Sequence, residues 1–296
     1  MSRHIAACTC RRDALKLGLG AGIAAAFVVA PGLARASSGP ALKARAIDGL
    51  AVFDLRPVSE LAERLFPARG AALLSLWRVH QFKYSWLRTL MGRYADFWQV
   101  SEEALAFAAR QLELDLPAAQ RDPLMQSFLS LDAWPDVRPA LLALREAGVR
   151  LAFLSNFTAR TLEAASRSAG ITDLMEPPLS TDRVQAHKPH PRAYQMALDA
   201  FGLPRESIGF AAFGGWDAAG AKASGYPTFW VNRVQQASEE LGSAPDAQGR
   251  GFEALVTWAV RPGVMAACEA QAASTPPSSS RARATGAASR SPPGSR

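Results

Sequence analysis

The pattern of apolar positions changes once along the chain. A short apolar run over residues 46–53 is typical of a buried strand. The stretch that follows has no strand signal, and its apolar residues recur at helical spacing over residues 58–66, 71–91, 101–112 and 117–131. Ser101 precedes two glutamates, which predicts that it caps the third of these helices.

Beyond residue 134 the pattern alternates between helix and strand. Helical spacing covers residues 137–147, 159–169, 191–201 and 218–224, and short apolar runs indicate strands over 150–154, 208–213 and 228–231. Strands that alternate with helices form a parallel sheet covered on both faces. The chain is therefore predicted to be α/β, with a doubly wound, Rossmann-like parallel sheet core and an all-helical cap inserted after the first strand.

These elements give the expected domain boundaries. We expect residues 44–56 and 133–260 to form the α/β core domain and residues 57–132 to form the helical cap domain. Residues 264–296 are mostly Ala, Ser, Pro, Gly and Arg without apolar periodicity, so this tail is expected to be disordered.

The first 36 residues have the features of an export signal. Arg11 and Arg12 precede a moderately apolar stretch over residues 17–29, and Ala34-Arg35-Ala36 is a small-x-small cleavage pattern. Paired arginines before such a stretch indicate a twin-arginine (Tat) signal peptide, and an uncleaved N-terminal anchor is the alternative. We therefore expect the Tat translocase as a partner during export, and a periplasmic or secreted mature protein.

The location of the basic residues explains the sequence pI of about 9.8. The chain has 33 Lys and Arg residues and 26 Asp and Glu residues. Residues 1–36 hold five basic residues and one acidic residue, and residues 264–296 hold four basic residues and one acidic residue. Residues 37–263 are therefore left with 24 basic and 24 acidic residues. The folded part is thus neutral, and the charge is no argument for a nucleic-acid partner. Only Cys268 of the three cysteines lies outside the signal, so no disulfide pair is expected.

Polar residues follow the predicted strands at one edge of the sheet. Asp48 lies at the end of the first strand, Ser155 and Asn156 follow the second, Lys188 precedes a helix, and Asp217 stands at a predicted helix start. Ligands of doubly wound sheets bind outside the carboxyl ends of the strands. Each residue also has an ordinary structural explanation: a turn for Asp48, a helix cap for Ser155, Asn156 or Asp217, and a solvated loop for Lys188. The histidines show no ligand spacing, so no metal site is predicted.

The ordered set resembles a known family. The matching segments are Leu154-Ser155-Asn156, His187-Lys188-Pro189 and Trp216-Asp217-Ala218 in the core, with Leu76-Trp77-Arg78 and Tyr84-Ser85-Trp86 in the cap. Together they resemble the haloacid dehalogenase superfamily, and specifically the L-2-haloacid dehalogenases of type II. The resemblance extends from about residue 46 to about residue 231.

The resemblance implies a cofactor-free hydrolysis of a small haloacid or carboxylate substrate. Asp48 would be the nucleophile that displaces halide and forms an ester, and Lys188 would hold Asp48 ionised. Asp217 would pair with Lys188 and position the hydrolytic water. Ser155, Asn156 and Arg78 would bind the substrate carboxylate or the leaving halide. The remaining implied residues would form an apolar wall that excludes water: Phe82, Phe97, Tyr194 and Trp216.

The sequence departs from the family pattern at several positions. The loop after Asp48 lacks the family Tyr and Thr, and Ala212 and Gly214 replace a Ser and an Asn. These losses predict slow ester hydrolysis, since a misplaced group can cost about 100-fold. One alternative is a Mg²⁺-dependent phosphatase, which would need an aspartate where Leu50 stands. Another is a catalytically weak carboxylate-binding homologue. A homodimer is a further expectation from the family.

Overall fold

The structure, a computed structural model, describes residues 42–259. The strands are β1 (Ala44–Ile47), β2 (Arg150–Ser155), β3 (Glu176–Ser180), β4 (Ile208–Ala212), β5 (Thr228–Val231) and β6 (Ala247–Gly249). The α-helices are α1 (Gly49–Val52), α2 (Arg56–Leu65), α3 (Gly70–Leu90), α4 (Phe97–Gln111), α5 (Ala118–Gln126), α6 (Val137–Glu146), α7 (Ala159–Ser168), α8 (Pro191–Phe201), α9 (Gly215–Ala223) and α10 (Phe252–Ala259).

The six strands form one parallel sheet in the order β3-β2-β1-β4-β5-β6. The last residue of β1, Ile47, pairs with Phe153 on one side and Ala211 on the other. The chain runs from β1 outward through β2 and β3, and then crosses back to continue through β4. This reversal beside β1 opens a crevice at its carboxyl end, which is the usual ligand position in such sheets. The predicted fold class is confirmed.

Helices α2 to α5 all lie between β1 and β2 in sequence. The two chain segments that lead into and out of them run side by side: the N–H of Asp54 donates to Asp132 O at 2.8 Å, and the N–H of Trp134 donates to Val52 O at 3.0 Å. We call residues 52–54 and 132–134 the stem. The helical insert, called the cap below, is thus attached to the core through a narrow two-segment connection.

Three local predictions were wrong. The first strand ends at Ile47, because the residues that follow turn into the short helix α1. Helix α4 begins at Phe97 with Asp96 as its N-cap, whose side chain accepts the N–H of Gln99, so Ser101 is a buried residue within the helix. Helix α9 begins at Gly215 with Gly214 as its N-cap, which places Asp217 inside the first turn.

The sequence patterns also missed three elements. Strand β3 contains two prolines, and it is tolerated because it lies at the edge of the sheet. Strand β6 is three residues long and contains no large apolar side chain. Helix α10 covers the sheet through buried Phe252 and Leu255.

The predicted Tat signal and the predicted tail lie outside the described residues. Within residues 42–259, no helix is both long enough and apolar enough to cross a membrane.

Candidate active site

Asp48 lies at the carboxyl end of the central strand. Its N–H donates to Ala211 O at 3.0 Å, which continues the pairing of β1 with β4 by one residue. The side chain points into the crevice, where the hydroxyl of Ser155 donates to its Oδ1 at 2.8 Å. Asp48 is only 3% exposed, so its carboxylate is held in a nearly dry environment.

Lys188 places its ammonium group between two carboxylates. Its Nζ lies 2.7 Å from Oδ2 of Asp217 and 3.4 Å from Oδ2 of Asp48. Asn156 Oδ1 accepts the backbone N–H of Lys188 at 2.9 Å, which fixes the loop that carries the lysine. All three charged side chains are buried, so their mutual attraction is only weakly screened.

Asp217 is fully buried beneath Lys188. Burial, together with the negative charge of Asp48, raises the pKa of its carboxyl to about 6, against the opposing effect of Lys188 and Tyr194. The hydroxyl of Tyr194 donates to Asp217 Oδ1 at 2.8 Å. Burial and this carboxylate raise the pKa of Tyr194 well above its usual value, so the hydroxyl remains a donor.

Asn156 contributes a free donor to the site. While its oxygen accepts from Lys188, its Nδ2 is buried and has no hydrogen-bond partner among the described residues. A buried donor without a partner is costly, which indicates that it meets an acceptor when a ligand is bound.

These groups border a narrow, partly open cavity whose empty space, counted together with adjoining solvent, is about 200 Å³. Its lining consists of Asp48, Leu50, Phe82, Phe97, Ser155, Asn156, Phe157, Lys188 and Trp216. Aromatic rings form the cap side: the Phe82 ring centroid lies 5.2 Å from that of Trp216 and 6.3 Å from that of Phe97. The space suits a molecule of a few heavy atoms with both an anionic and an apolar part.

Arg78 lines an adjoining, partly open cavity that shares Leu50, Phe82, Phe97 and Phe157 with the first. Its half-buried guanidinium has no hydrogen-bond or ion-pair partner among the described residues, and burial lowers its pKa. A guanidinium remains charged even so, which makes Arg78 a cation available to an anion in this space.

The structure therefore brings together nine of the ten candidate site residues. Eight of them line one or both of the adjoining cavities, and Asp217 joins them through its ion pair with Lys188. The exception is Tyr194, which lines neither cavity. Its ring packs in the core against Phe210 and Tyr226, and only its hydroxyl faces the site. The prediction of an apolar wall was thus wrong for Tyr194, because its hydroxyl binds the buried carboxylate of Asp217.

Sequence reasoning missed two residues that line both cavities, Leu50 and Phe157. A usable signal existed, because each stands within two positions of a candidate residue, Asp48 or Asn156. No cluster of three or more His, Cys, Asp or Glu within residues 42–259 could hold a metal ion.

Comparison with known proteins identifies the family. The family model of haloacid dehalogenase-like hydrolases matches residues 23–225. The chain belongs to this family. It is 40% identical over 205 residues to the (S)-2-haloacid dehalogenase of Pseudomonas sp. (strain YL), an alignment that covers 69% of this chain and 88% of the relative.

Solved haloacid dehalogenases share the fold. One L-2-haloacid dehalogenase superimposes with a TM-score of 0.73 at 39% identity, covering 74% of this chain and 99% of the other. The L-2-haloacid dehalogenase of Xanthobacter autotrophicus, solved with chloropropionic acid covalently bound, has a TM-score of 0.68 at 31% identity and covers 73% and 97%.

Two residues at which this haloacid dehalogenase-family chain was described above as departing from the family pattern, Ala212 and Gly214, lie beside the ion pairs. Ala212 is the fully buried last residue of β4, and Gly214 caps α9. A Cβ atom at Gly214 would lie 2.8 Å from Nε1 of Trp216, so the tryptophan ring occupies the space that a side chain would need. Neither Ala212 nor Gly214 therefore offers a polar side chain to a water molecule at this side of the site.

Proposed function

We propose that the protein hydrolyses short L-2-haloalkanoic acids to 2-hydroxyacids and halide through an ester on Asp48. The observation that carries the proposal is the buried Lys188 ammonium between Asp48 and Asp217, directly below a small aromatic cavity with Arg78 beside it. Relatives named (S)-2-haloacid dehalogenase and a neighbour with covalently bound chloropropionic acid support it.

The proposed first step is a displacement at carbon. A carboxylate oxygen of Asp48 attacks the substrate α-carbon, the C–O bond forms, and the bond to halogen breaks with its electron pair leaving as halide. The Lys188 ammonium, 3.4 Å away, supplies a counter-charge to Asp48, and the aromatic cavity excludes water that would solvate the nucleophile. Arg78 supplies a positive charge, and the free Asn156 Nδ2 supplies a hydrogen-bond donor. Both are available to the substrate carboxylate and to the departing halide.

The proposed second step regenerates the enzyme. Water attacks the ester carbonyl carbon of Asp48 and gives one proton to Asp217. The bond between that carbon and the ester oxygen then breaks, its electron pair stays on the oxygen bound to the substrate, and this oxygen takes up the proton as the 2-hydroxyacid leaves. Asp217 is suited to receive that proton, because its carboxyl pKa of about 6 lies near neutrality. Each oxygen of Asp217 already accepts one hydrogen bond and can accept another.

One specific observation favours slow hydrolysis as a second candidate. Trp216 fills the space beside Gly214, and Ala212 has no polar side chain, so neither position offers a side-chain hydrogen-bond partner to a water molecule that attacks the ester. In that case the chain would accumulate the ester and act as a weak catalyst that binds carboxylates. The phosphatase alternative fits less well, because Leu50 and the two glycines before Trp216 supply no side-chain carboxylate for Mg²⁺.

The test is halide release from 2-chloropropionate, with each enantiomer assayed separately and with or without EDTA. We expect release from the L-enantiomer that EDTA does not change. Metal-dependent phosphate release from an aryl phosphate without halide release would contradict the proposal. A single burst of halide equal to the enzyme concentration would assign the slow-hydrolysis alternative.

Turnover is expected to fall in acid. Below about pH 6 Asp217 takes up a proton, and a neutral carboxyl no longer pairs with Lys188 or accepts a proton from water. Because Asp217 acts after the halide has left, we expect kcat to fall about tenfold per pH unit below that value, measured as steady-state halide release at saturating substrate and constant ionic strength. If the decline in acid is unchanged in His187→Gln, the group that titrates is Asp217 and not the nearby imidazole. A flat profile down to pH 5 would contradict the assignment.

We further propose that residues 1–36 direct export by the Tat translocase and that the protein forms a homodimer. Paired Arg11 and Arg12 support export, and cell fractionation of the chain with both changed to Lys tests it.

Exposed Leu87, Leu90 and Met91 at the end of α3 support association of two copies. Sedimentation analysis of the purified protein tests the dimer, and a monomer at micromolar concentration would contradict it.

A further inference from the structure

The cap packs on the core through aromatic contacts, such as those of Phe82 with Trp216 and of Phe97 with Phe157, but within the described residues its hydrogen bonds to the core outside the stem are confined to one place. Among residues 42–259, three hydrogen bonds join the two parts outside the stem: the Tyr94 hydroxyl donates to Asp182, the N–H of His187 donates to Thr89 Oγ1 at 3.1 Å, and His187 Nε2 contacts Ala95 O at 2.9 Å. Two of the three belong to His187, which takes no part in the chemistry described above. We call these contacts the latch.

The protonation of the His187 ring follows from its partners. Ala95 O can only accept, so Nε2 carries the hydrogen, and neutral Nδ1 lies 3.4 Å from the hydroxyl of Thr181. The ring is 1% exposed and stacks on Tyr94 with centroids 4.8 Å apart. Burial lowers the pKa of His187, which keeps the ring in this neutral donor form.

The latch touches the catalytic residues on both sides. His187 immediately precedes Lys188, whose ammonium holds Asp48 and Asp217. On the cap side the edge of the His187 ring meets Phe97, with centroids 6.1 Å apart, and Phe97 lines both cavities. The same side chain therefore contacts the segment that shapes the cavity and fixes the loop that carries the lysine.

The burial of Asp48 makes the hydrogen bonds between cap and core relevant to substrate entry. Asp48 is 3% exposed, so the closed arrangement leaves little access to it from solvent, and movement of the cap about the stem would widen that access. We infer that His187 is a positioning residue: its N–H and imidazole close the cap onto the Lys188 loop, so that cavity closure and lysine placement occur together. This inference rests on the proposed dehalogenase function.

A matched pair of substitutions tests it. His187→Gln retains an amide donor that can reach Ala95 O, whereas His187→Leu has similar volume without any donor. Weakening the latch lowers the closed fraction, and an apparent dissociation constant rises as that fraction falls. We expect His187→Leu to raise KM about tenfold or more and to lower kcat/KM accordingly, while His187→Gln stays within about threefold of wild type. Equal losses in both variants, or no loss in either, would overturn the inference.

Hydrogen exchange provides a readout that needs no turnover. In His187→Leu, amides of residues 88–97 and 181–190 should exchange faster than in wild type, and those of β2 should not change. Thr89→Val removes the hydroxyl that accepts the His187 N–H and should act in the same direction, with Thr89→Ser as its control. Unchanged exchange in both the His187→Leu and the Thr89→Val proteins contradicts the latch. Absence of halide release from the wild type would instead contradict the proposed function alone.

Discussion

Asp48→Asn is expected to reduce halide release by at least about 10⁴-fold, because an amide oxygen is a far weaker nucleophile than a carboxylate. The substitution is nearly isosteric, and the Ser155 hydroxyl can still donate to the side-chain oxygen. The fold should therefore be retained. The measurement is steady-state halide release from L-2-chloropropionate at pH 8, with thermal unfolding of the same sample.

Asp54→Asn is the matched control for that change. Asp54 lies six positions further on, but its carboxylate pairs with Arg56 at 2.6 Å and lines neither cavity. We expect turnover within about threefold of wild type, since Asp54 lines neither cavity and its partner Arg56 is largely exposed. If Asp54→Asn abolishes turnover and Asp48→Asn does not, the nucleophile is wrongly assigned.

Lys188→Met should affect both activity and stability. Without the ammonium, Asp48 and Asp217 face each other in a buried site with no counter-charge. We expect turnover to fall by about 10³-fold or more, because the pair then takes up a proton and Asp48 loses its nucleophilic form. Removal of one partner from a buried ion pair typically costs about 3–5 kcal/mol, which urea unfolding at pH 8 would detect as a lower free energy of unfolding.

The double variant Lys188→Met/Asp217→Asn separates the two effects. With the second carboxylate neutralised, most of the lost stability should return, while turnover remains absent. A single Lys188→Met protein as stable as the wild type would contradict the charge arrangement described for this site.

The fold could be predicted because its signals are local. Helical spacing through the cap and buried strands in the core follow from side-chain burial alone, and helix α8 and strand β5 begin and end where the pattern places them. Strand β3 could not be predicted in this way, since Pro177 and Pro178 are compatible with a strand only at the edge position that the complete sheet provides.

The candidate site was predictable where topology alone determines position. Asp48 directly follows β1 and Ser155 is the last residue of the adjacent parallel strand β2, so they meet at one edge of the sheet. The role of Tyr194 was not predictable, because an aromatic residue gives no sign of whether its ring or its hydroxyl faces a site. The latch was also hidden, since His187 contacts residues 92 and 98 positions away in sequence.

The most direct test of the proposed chemistry is the mass of the peptide that contains Asp48 after a single turnover. Wild-type enzyme in excess over L-2-chloropropionate is quenched in acid, digested and analysed by mass spectrometry. We expect a carboxyalkyl group on the Asp48 peptide that decays as 2-hydroxyacid appears, and no such group in Asp48→Asn. Halide and hydroxyacid formed together, with the Asp48 peptide unmodified at every time point and ¹⁸O from labelled water only in the product, would contradict the ester mechanism.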